Sequence, residues 1–144
     1  IFGHGFTYGG HPVPCSVALE TLKIYEETDI IAQVKKVSPI LQSGLKRFSD
    51  HSLVGEVRGV GLLGALELVR DKSNKDPFDL VQGVGQYLVK RCQENGLITR
   101  ALGDTIAFSP PLIINKNEIS RMLNIVEISL DETAAWIDQN PPPL

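Results

Sequence analysis

The sequence has few of the residues from which metal sites and disulfides are built. It contains two cysteines and three histidines among 144 residues, and Cys15 and Cys92 lie far apart. A structural zinc site needs clustered Cys and His ligands at short spacing, and no such cluster is present. The sequence therefore predicts no metal site and two free thiols, which is typical of a reducing compartment.

Long hydrophobic runs and an excess of basic charge are also missing. No apolar run approaches the roughly 20 residues that a membrane-spanning helix needs. The formal net charge is −3 with an isoelectric point near 5.6, and Lys and Arg fall in isolated pairs, which argues against nucleic-acid binding. With 42% hydrophobic and 22% charged residues, the composition is typical of a globular domain without a membrane segment. We expect a cytoplasmic protein.

What the sequence does have is a glycine-rich start. Four glycines fall within the first ten positions, just before a helix that Pro12 and Pro14 predict. Free N–H groups and the dipole of a helix N-terminus favour anions, and Thr7 adds a hydroxyl. The loop matches neither a P-loop nor a dinucleotide fingerprint. From the residues alone, a tight connection is the favoured interpretation and a phosphate cradle is the alternative.

The apolar spacing predicts four helices, at residues 12–27, 29–48, 78–95 and 115–137. Cys15, Ala18, Leu19 and Leu22 would form the inner face of the first helix. Proline inside the second helix, at position 39, is expected to kink or split it. Asn115 followed by Glu118 predicts a capping box at the start of the last.

Residues 53–69 are rich in β-branched and apolar side chains and are punctuated by glycines, which predicts two strands or one bent strand. Residues 97–101 and 105–109 predict a hairpin around Leu102-Gly103-Asp104, and 112–114 a further extended piece. The fold class that follows is α+β, with a small antiparallel or mixed sheet and helices packed on one face.

Few side chains present themselves as candidates for chemistry. Arg100 precedes the hairpin turn, where it could pair with a carboxylate or be a plain surface residue. Arg58 with Glu56 and Glu67 is typical of a structural ion pair, and His4 and His11 of structural histidines. No Ser-His-Asp arrangement follows from the spacing, so no catalytic residue is assigned.

Four blocks of the sequence, in order, resemble class III aminotransferases. They are GFTYGGHP at 5–12 with IYEE at 24–27, VGEVRGVGLLGALELV at 54–69, GLITRALGDTI at 96–106, and SPPLII at 109–114. This family consists of fold type I enzymes that use pyridoxal 5′-phosphate, and the chain is most similar to its ω-amino acid–pyruvate group. The resemblance implies transfer of an amino group from an ω-amino acid or amine to pyruvate or a similar keto acid.

The resemblance also implies roles for three residues. Phe6 and Thr7 would belong to a loop lent to the neighbouring subunit of a homodimer, where the Thr hydroxyl and backbone amides bind the cofactor phosphate. Arg100 matches the family's mobile arginine, which pairs with a substrate carboxylate. Gly9 stands where the family usually has serine.

The same resemblance places the Schiff-base lysine and the acidic partner of the pyridine nitrogen upstream of this chain. Residues 1–27 would end the large cofactor-binding domain, and residues 28–144 would form the C-terminal small domain. We expect the chain alone to be inactive. The alternatives are another class III member (4-aminobutyrate or acetylornithine type, or an aminomutase) and a non-catalytic dimerisation or binding module.

Overall fold

The computed structural model describes residue 3 and residues 5–140. The interpretation of His4 lies outside that range. The order of elements is α1 (Pro12–Glu27), α2 (Ile30–Arg47), β1 (Val54–Val60), β2 (Leu63–Leu68), α3 (Val84–Glu94), β3 (Arg100–Leu102), β4 (Thr105–Phe108) and α4 (Lys116–Gln139).

The four strands form one sheet in the order β1-β2-β4-β3, and every neighbouring pair is antiparallel. One register row crosses the whole sheet, joining Arg58, Ala65, Ala107 and Arg100 in turn. Cross-strand partners share a face of the sheet, so these four side chains lie on the same side. The expected α+β fold is confirmed, and the sheet is antiparallel throughout.

Helices α2, α3 and α4 cover the opposite face of the sheet. Leu66 and Ile106, partners in the next register row, are fully buried and belong to one hydrophobic cluster with residues of all three helices. The close approach of α2 to the sheet depends on glycine at one position. A Cβ on Gly64 would lie 2.3 Å from Cδ1 of Leu45, so a side chain there would force the fully buried Leu45 side chain to move.

Some helix ends lie where the sequence predicts them, and others do not. The capping box predicted at Asn115 and Glu118 is present in full. The prediction of a helix over 78–95 is wrong at its start, because Gly83 adopts a φ of +65° and α3 begins only at Val84. Val81, in the segment before this glycine, is 93% exposed. Residues 112–113 form a turn rather than an extended piece.

Helix α2 continues through Pro39, so the expected split does not occur. Its buried residues include Ile30, Val37 and Leu41, whereas the neighbouring Ile31 is 60% exposed. A 3.6-residue period finds the helix but leaves its rotation uncertain by one position, and packing against the sheet decides the rotation.

Helix α1 differs most from expectation, because none of its residues is buried. The predicted inner face, which includes Leu19 and Leu22, is open, and α1 contacts the rest of the fold mainly through α2. An apolar face of this size on a helix is typical of a surface that another element covers. None of the helices in the described range is long and apolar enough to cross a membrane.

Truncating Leu66 tests the assignment of the core. Leu66 is fully buried at the centre of the sheet, so Leu66→Ala should lower the free energy of unfolding by about 2–5 kcal/mol through lost burial and an unfilled cavity. Urea unfolding of the purified chain measures the change. Val81→Ala, at a side chain that is 93% exposed, is the control and should change stability little. Equal effects of the two changes would contradict the assigned core.

Helices α3 and α4 are joined by a polar contact at the edge of the core. Arg91 donates from Nε to the Glu132 carboxylate at 2.9 Å, and Asn95 donates to the same oxygen at 3.1 Å. Hydrogen bonding to Arg91 lowers the pKa of Glu132 below its usual range. Because Glu132 is held charged in the folded state, it stabilises the fold at pH values above its unfolded-state pKa.

This contact predicts a pH-dependent stability. As the pH falls below about 4.5, the usual pKa of a glutamate, the stabilisation by Glu132 should decline and vanish once the pH passes its lower folded-state pKa. Glu132→Gln should therefore flatten the acid limb of a plot of melting temperature against pH. Glu127→Gln, which removes an exposed ion pair with Arg47, is the control. An unchanged acid limb in Glu132→Gln would exclude this role.

Candidate functional site: a phosphate loop and an arginine pocket

The glycine-rich loop before α1 folds as two consecutive tight turns. The Gly9 N–H donates to the Phe6 carbonyl at 2.9 Å, and the His11 N–H donates to the Tyr8 carbonyl at 3.1 Å. Gly10 takes a φ of +77°, which favours glycine. A Cβ on Gly9 would lie 3.1 Å from the Phe6 carbonyl oxygen, so glycine at this position relieves a close contact inside the turn.

The N-terminus of α1 is a poorer anion site than the sequence suggests. Pro12 and Pro14 have no N–H, and the Val13 N–H donates to Nδ1 of the capping residue His11 at 3.3 Å. The next N–H, that of Cys15, is bonded to the His11 carbonyl. The prolines and the His11 cap therefore use up the N–H positions of the first helical turn that an anion at this helix N-terminus would need.

Donors remain in the loop itself. Thr7 is exposed, and within the described range neither its hydroxyl nor the N–H groups of Thr7 and Tyr8 have a hydrogen-bond partner. A hydroxyl and two successive backbone amides on a glycine-flanked turn match the acceptor oxygens of a phosphate monoester. The donors of this loop therefore suit a phosphate group.

Arg100 lies on the edge strand β3 with its side chain exposed. Four of the six arginines in the chain, at positions 47, 58, 70 and 91, form ion pairs with carboxylates. Arg100 and Arg121 have no such partner among the described residues. An exposed guanidinium without a carboxylate keeps its donors available for a ligand.

Both of these arginines line one pocket of about 550 Å³ between β3, β4 and the start of α4. Most of the other lining is apolar and includes Leu97, Phe108 and Met122. An apolar cavity with a few charged groups is the usual form of a small-molecule site. Sequence reasoning missed Arg121, because its only signal, an exposed position on α4, is shared by many helix residues.

Arg58 serves a different purpose. Its guanidinium donates to Glu67 at 2.5 Å and to Glu56 at 3.5 Å, and Lys75 pairs with Glu56 at 2.9 Å. The hydrogen bond to Glu67 raises the pKa of Arg58. The predicted ion pair on the sheet is confirmed, and Arg58 is not available for a ligand.

The structure does not bring the loop and Arg100 together. Neither Phe6 nor Thr7 lines the pocket that contains Arg100, so the phosphate donors and the candidate carboxylate receptor are separate surfaces of one chain. All eight lysines are exposed. In the described range, no three His, Cys, Asp or Glu side chains are grouped so that they could hold a metal ion.

Comparison with known proteins shows the family of this chain. The family model for aminotransferase class III matches residues 1–130. Gamma aminobutyrate transaminase 1, mitochondrial, from Solanum lycopersicum is 45% identical over 96% of this chain and 27% of its own length. Gamma aminobutyrate transaminase 3, chloroplastic, from the same species is 52% identical over 96% of this chain and 26% of its own length.

Solved structures agree with the sequence comparisons. A transaminase solved with L-ala superposes with a TM-score of 0.87 at 44% identity, covering 94% of this chain and 32% of its own. A thermostable omega transaminase from Pseudomonas jessenii superposes with a TM-score of 0.87 at 47% identity, over 94% of this chain and 30% of its own. The chain thus spans about a quarter to a third of the relatives that it matches. It belongs to the class III aminotransferase family.

Proposed function

We propose that this chain is part of a pyridoxal-phosphate-dependent aminotransferase that moves an amino group from an ω-amino acid or amine to pyruvate or a similar keto acid. The observation that carries the proposal is that Arg100 lines a largely apolar pocket and has no carboxylate partner among the described residues. The relatives named above add support, since 4-aminobutyrate is an ω-amino acid and L-alanine is the amino form of pyruvate. Their names favour 4-aminobutyrate as a specific candidate donor.

Thr7 and its neighbours would hold the cofactor by its phosphate. The Thr7 hydroxyl and the N–H groups of Thr7 and Tyr8 would donate to phosphate oxygens, which fixes the position of the attached ring. When bound, pyridoxal phosphate supplies an aldehyde that condenses with amines and a ring that accepts electrons. The chain's contribution is binding and orientation, and the lysine that reacts with the aldehyde would lie elsewhere in the protein.

Arg100 would select the substrate. Its planar guanidinium can bind a carboxylate through two parallel hydrogen bonds. Because Arg100 has no carboxylate partner among the described residues, its side chain can turn aside without breaking an ion pair. The apolar pocket lining then faces a substrate that carries no carboxylate, such as a simple amine.

We further propose that the parent protein is a homodimer that lends the Phe6-Thr7 loop to the neighbouring subunit. The loop and the Arg100 pocket are separate surfaces of this chain, and the apolar face of α1 is open. Both features support a site that other parts of the protein complete. Residues 1–27 would end the large domain and residues 28–144 form the small domain. The chain alone would not transaminate. Since the relatives' names include mitochondrial and chloroplastic forms, cytoplasmic location stays a prediction.

Removing the Thr7 hydroxyl should weaken cofactor binding. In the full-length protein, Thr7→Val should raise the Kd for pyridoxal phosphate about tenfold to a hundredfold, the effect of losing one hydrogen bond to a charged group. Titration of the apoprotein, followed by cofactor absorbance, measures the constant. Thr7→Ser keeps the hydroxyl and should bind like the wild type. Equal affinities for all three proteins would show that the loop is not the phosphate site.

Removing the Arg100 charge should change substrate preference. In the full-length enzyme, Arg100→Met should lower kcat/KM about tenfold to a hundredfold for donors with a carboxylate, because a charge-assisted hydrogen-bonded pair is lost. In the donor half-reaction, measured without a keto acid, a simple amine donor should react at its original rate or faster. Arg47→Met, at an exposed arginine paired with Glu127, is the control. Equal losses for both donors would exclude carboxylate recognition by Arg100.

A further inference from the structure

The hairpin that carries Arg100 is fastened to the fold at its tip. Strands β3 and β4 are joined by Gly103 and Asp104, and Gly103 has a φ of +61°. The Asp104 carboxylate accepts a hydrogen bond at 2.8 Å from the N–H of Gly85, 19 residues earlier in the chain. Asp104 is thus a contact between the turn and helix α3.

This contact caps α3 from outside the helix. The residue at the N-cap of α3 is Gly83, which offers no side-chain hydrogen bond. Gly85 is in the first turn of the helix, where N–H groups lack an intrahelical partner and a carboxylate is favoured by the helix dipole. Asp104 therefore takes the place of the missing N-cap side chain.

The tip of the hairpin also lies directly against the helix backbone. A Cβ on Gly85 would be 2.3 Å from the Gly103 carbonyl oxygen and 3.0 Å from Cα of Asp104. On its other side, the Asp104 carbonyl accepts a hydrogen bond from the Leu68 N–H at 2.9 Å. The turn is held between α3 and the end of β2, with no room for it to shift toward the helix.

A second contact holds the other end of the hairpin. The Thr99 hydroxyl donates to the carbonyl of Ala107 at 2.8 Å. Ala107 is the register partner of Arg100. On the N-terminal side of Thr99 the chain leaves the sheet. This hydrogen bond therefore extends the pairing of β3 and β4 by one residue, at the point where the edge strand would otherwise separate from β4.

We propose that Asp104 and Thr99 are positioning residues for Arg100, and this rests on the carboxylate-binding role proposed for Arg100 above. The two anchors fix the backbone on either side of Arg100, so that only its side chain moves when carboxylate and non-carboxylate substrates alternate. A guanidinium on a fixed backbone meets a carboxylate at a defined distance and angle. Without the hydrogen bonds of Asp104 and Thr99, Arg100 would meet the carboxylate in many orientations and bind it more weakly.

The test uses the full-length enzyme loaded with pyridoxal phosphate. Asp104→Ala and Thr99→Val each remove one anchor, whereas Asp104→Asn and Thr99→Ser keep an acceptor and a hydroxyl. We expect Asp104→Ala and Thr99→Val to raise KM for a carboxylate donor about fivefold or more with kcat unchanged. The KM for a simple amine donor should stay the same. The two conservative variants should restore the wild-type KM.

Combination with Arg100→Met separates positioning from a general structural effect. If the anchors act through Arg100, Asp104→Ala should cause no additional loss with the carboxylate donor in that background. Equal losses for both donors, or an additional loss in the double variant, would overturn the proposal. Should Asp104→Ala fail to accumulate, Thr99→Val decides the question at the other anchor, since it removes one hydroxyl and keeps the side-chain shape.

The same measurements distinguish this inference from the proposed function. Suppose that Arg100→Met lowers kcat/KM only for the carboxylate donor, while Asp104→Ala and Thr99→Val leave the KM for that donor unchanged. In that case the positioning role of Asp104 and Thr99 is wrong, and carboxylate recognition by Arg100 stands. If Arg100→Met itself does not discriminate, carboxylate recognition by Arg100 is wrong, and the positioning proposal falls with it.

Discussion

Burial of one face of the sheet against three helices is the constraint on which the rest of the structure depends. Strand side chains alternate between the two faces, so the burial of Leu66 and Ile106 fixes where the neighbouring register row lies. That row carries Arg58, Ala65, Ala107 and Arg100. Hydrophobic burial, at roughly 25 cal/mol per Å², thereby determines that Arg100 is on the open side of the sheet.

The helices lie close enough to the strands to bury this face of the sheet because glycine is present at the points of contact. Gly64 makes room for Leu45, and Gly85 makes room for the turn that follows Arg100. The second contact has a consequence for the site, because it makes the start of α3 part of the hairpin's support. The candidate receptor for a carboxylate is therefore on a short edge strand, yet that strand is bonded on both sides of Arg100.

Local signals predicted a good part of this arrangement. The Asn115–Glu118 capping box, the hairpin turn at Gly103 and the second helix all follow from residues within a few positions of one another. The start of α3 did not follow, because Phe78 and Val81 continue the apolar period although Gly83 breaks the helix. The cap of α1 by His11 did not follow either, since it depends on side-chain geometry that spacing does not show.

By itself the sequence determined the α+β class, the position of the hairpin and, through its resemblance to class III aminotransferases, the family. Those properties depend on local propensity and on the order of motifs along the chain. Only the tertiary structure decided that Arg100 and Arg121 share a pocket and that Asp104 caps a helix begun 20 residues earlier. The reason is physical: ion pairs, pockets and caps between elements depend on distances between residues far apart in sequence, and packing of the elements sets those distances.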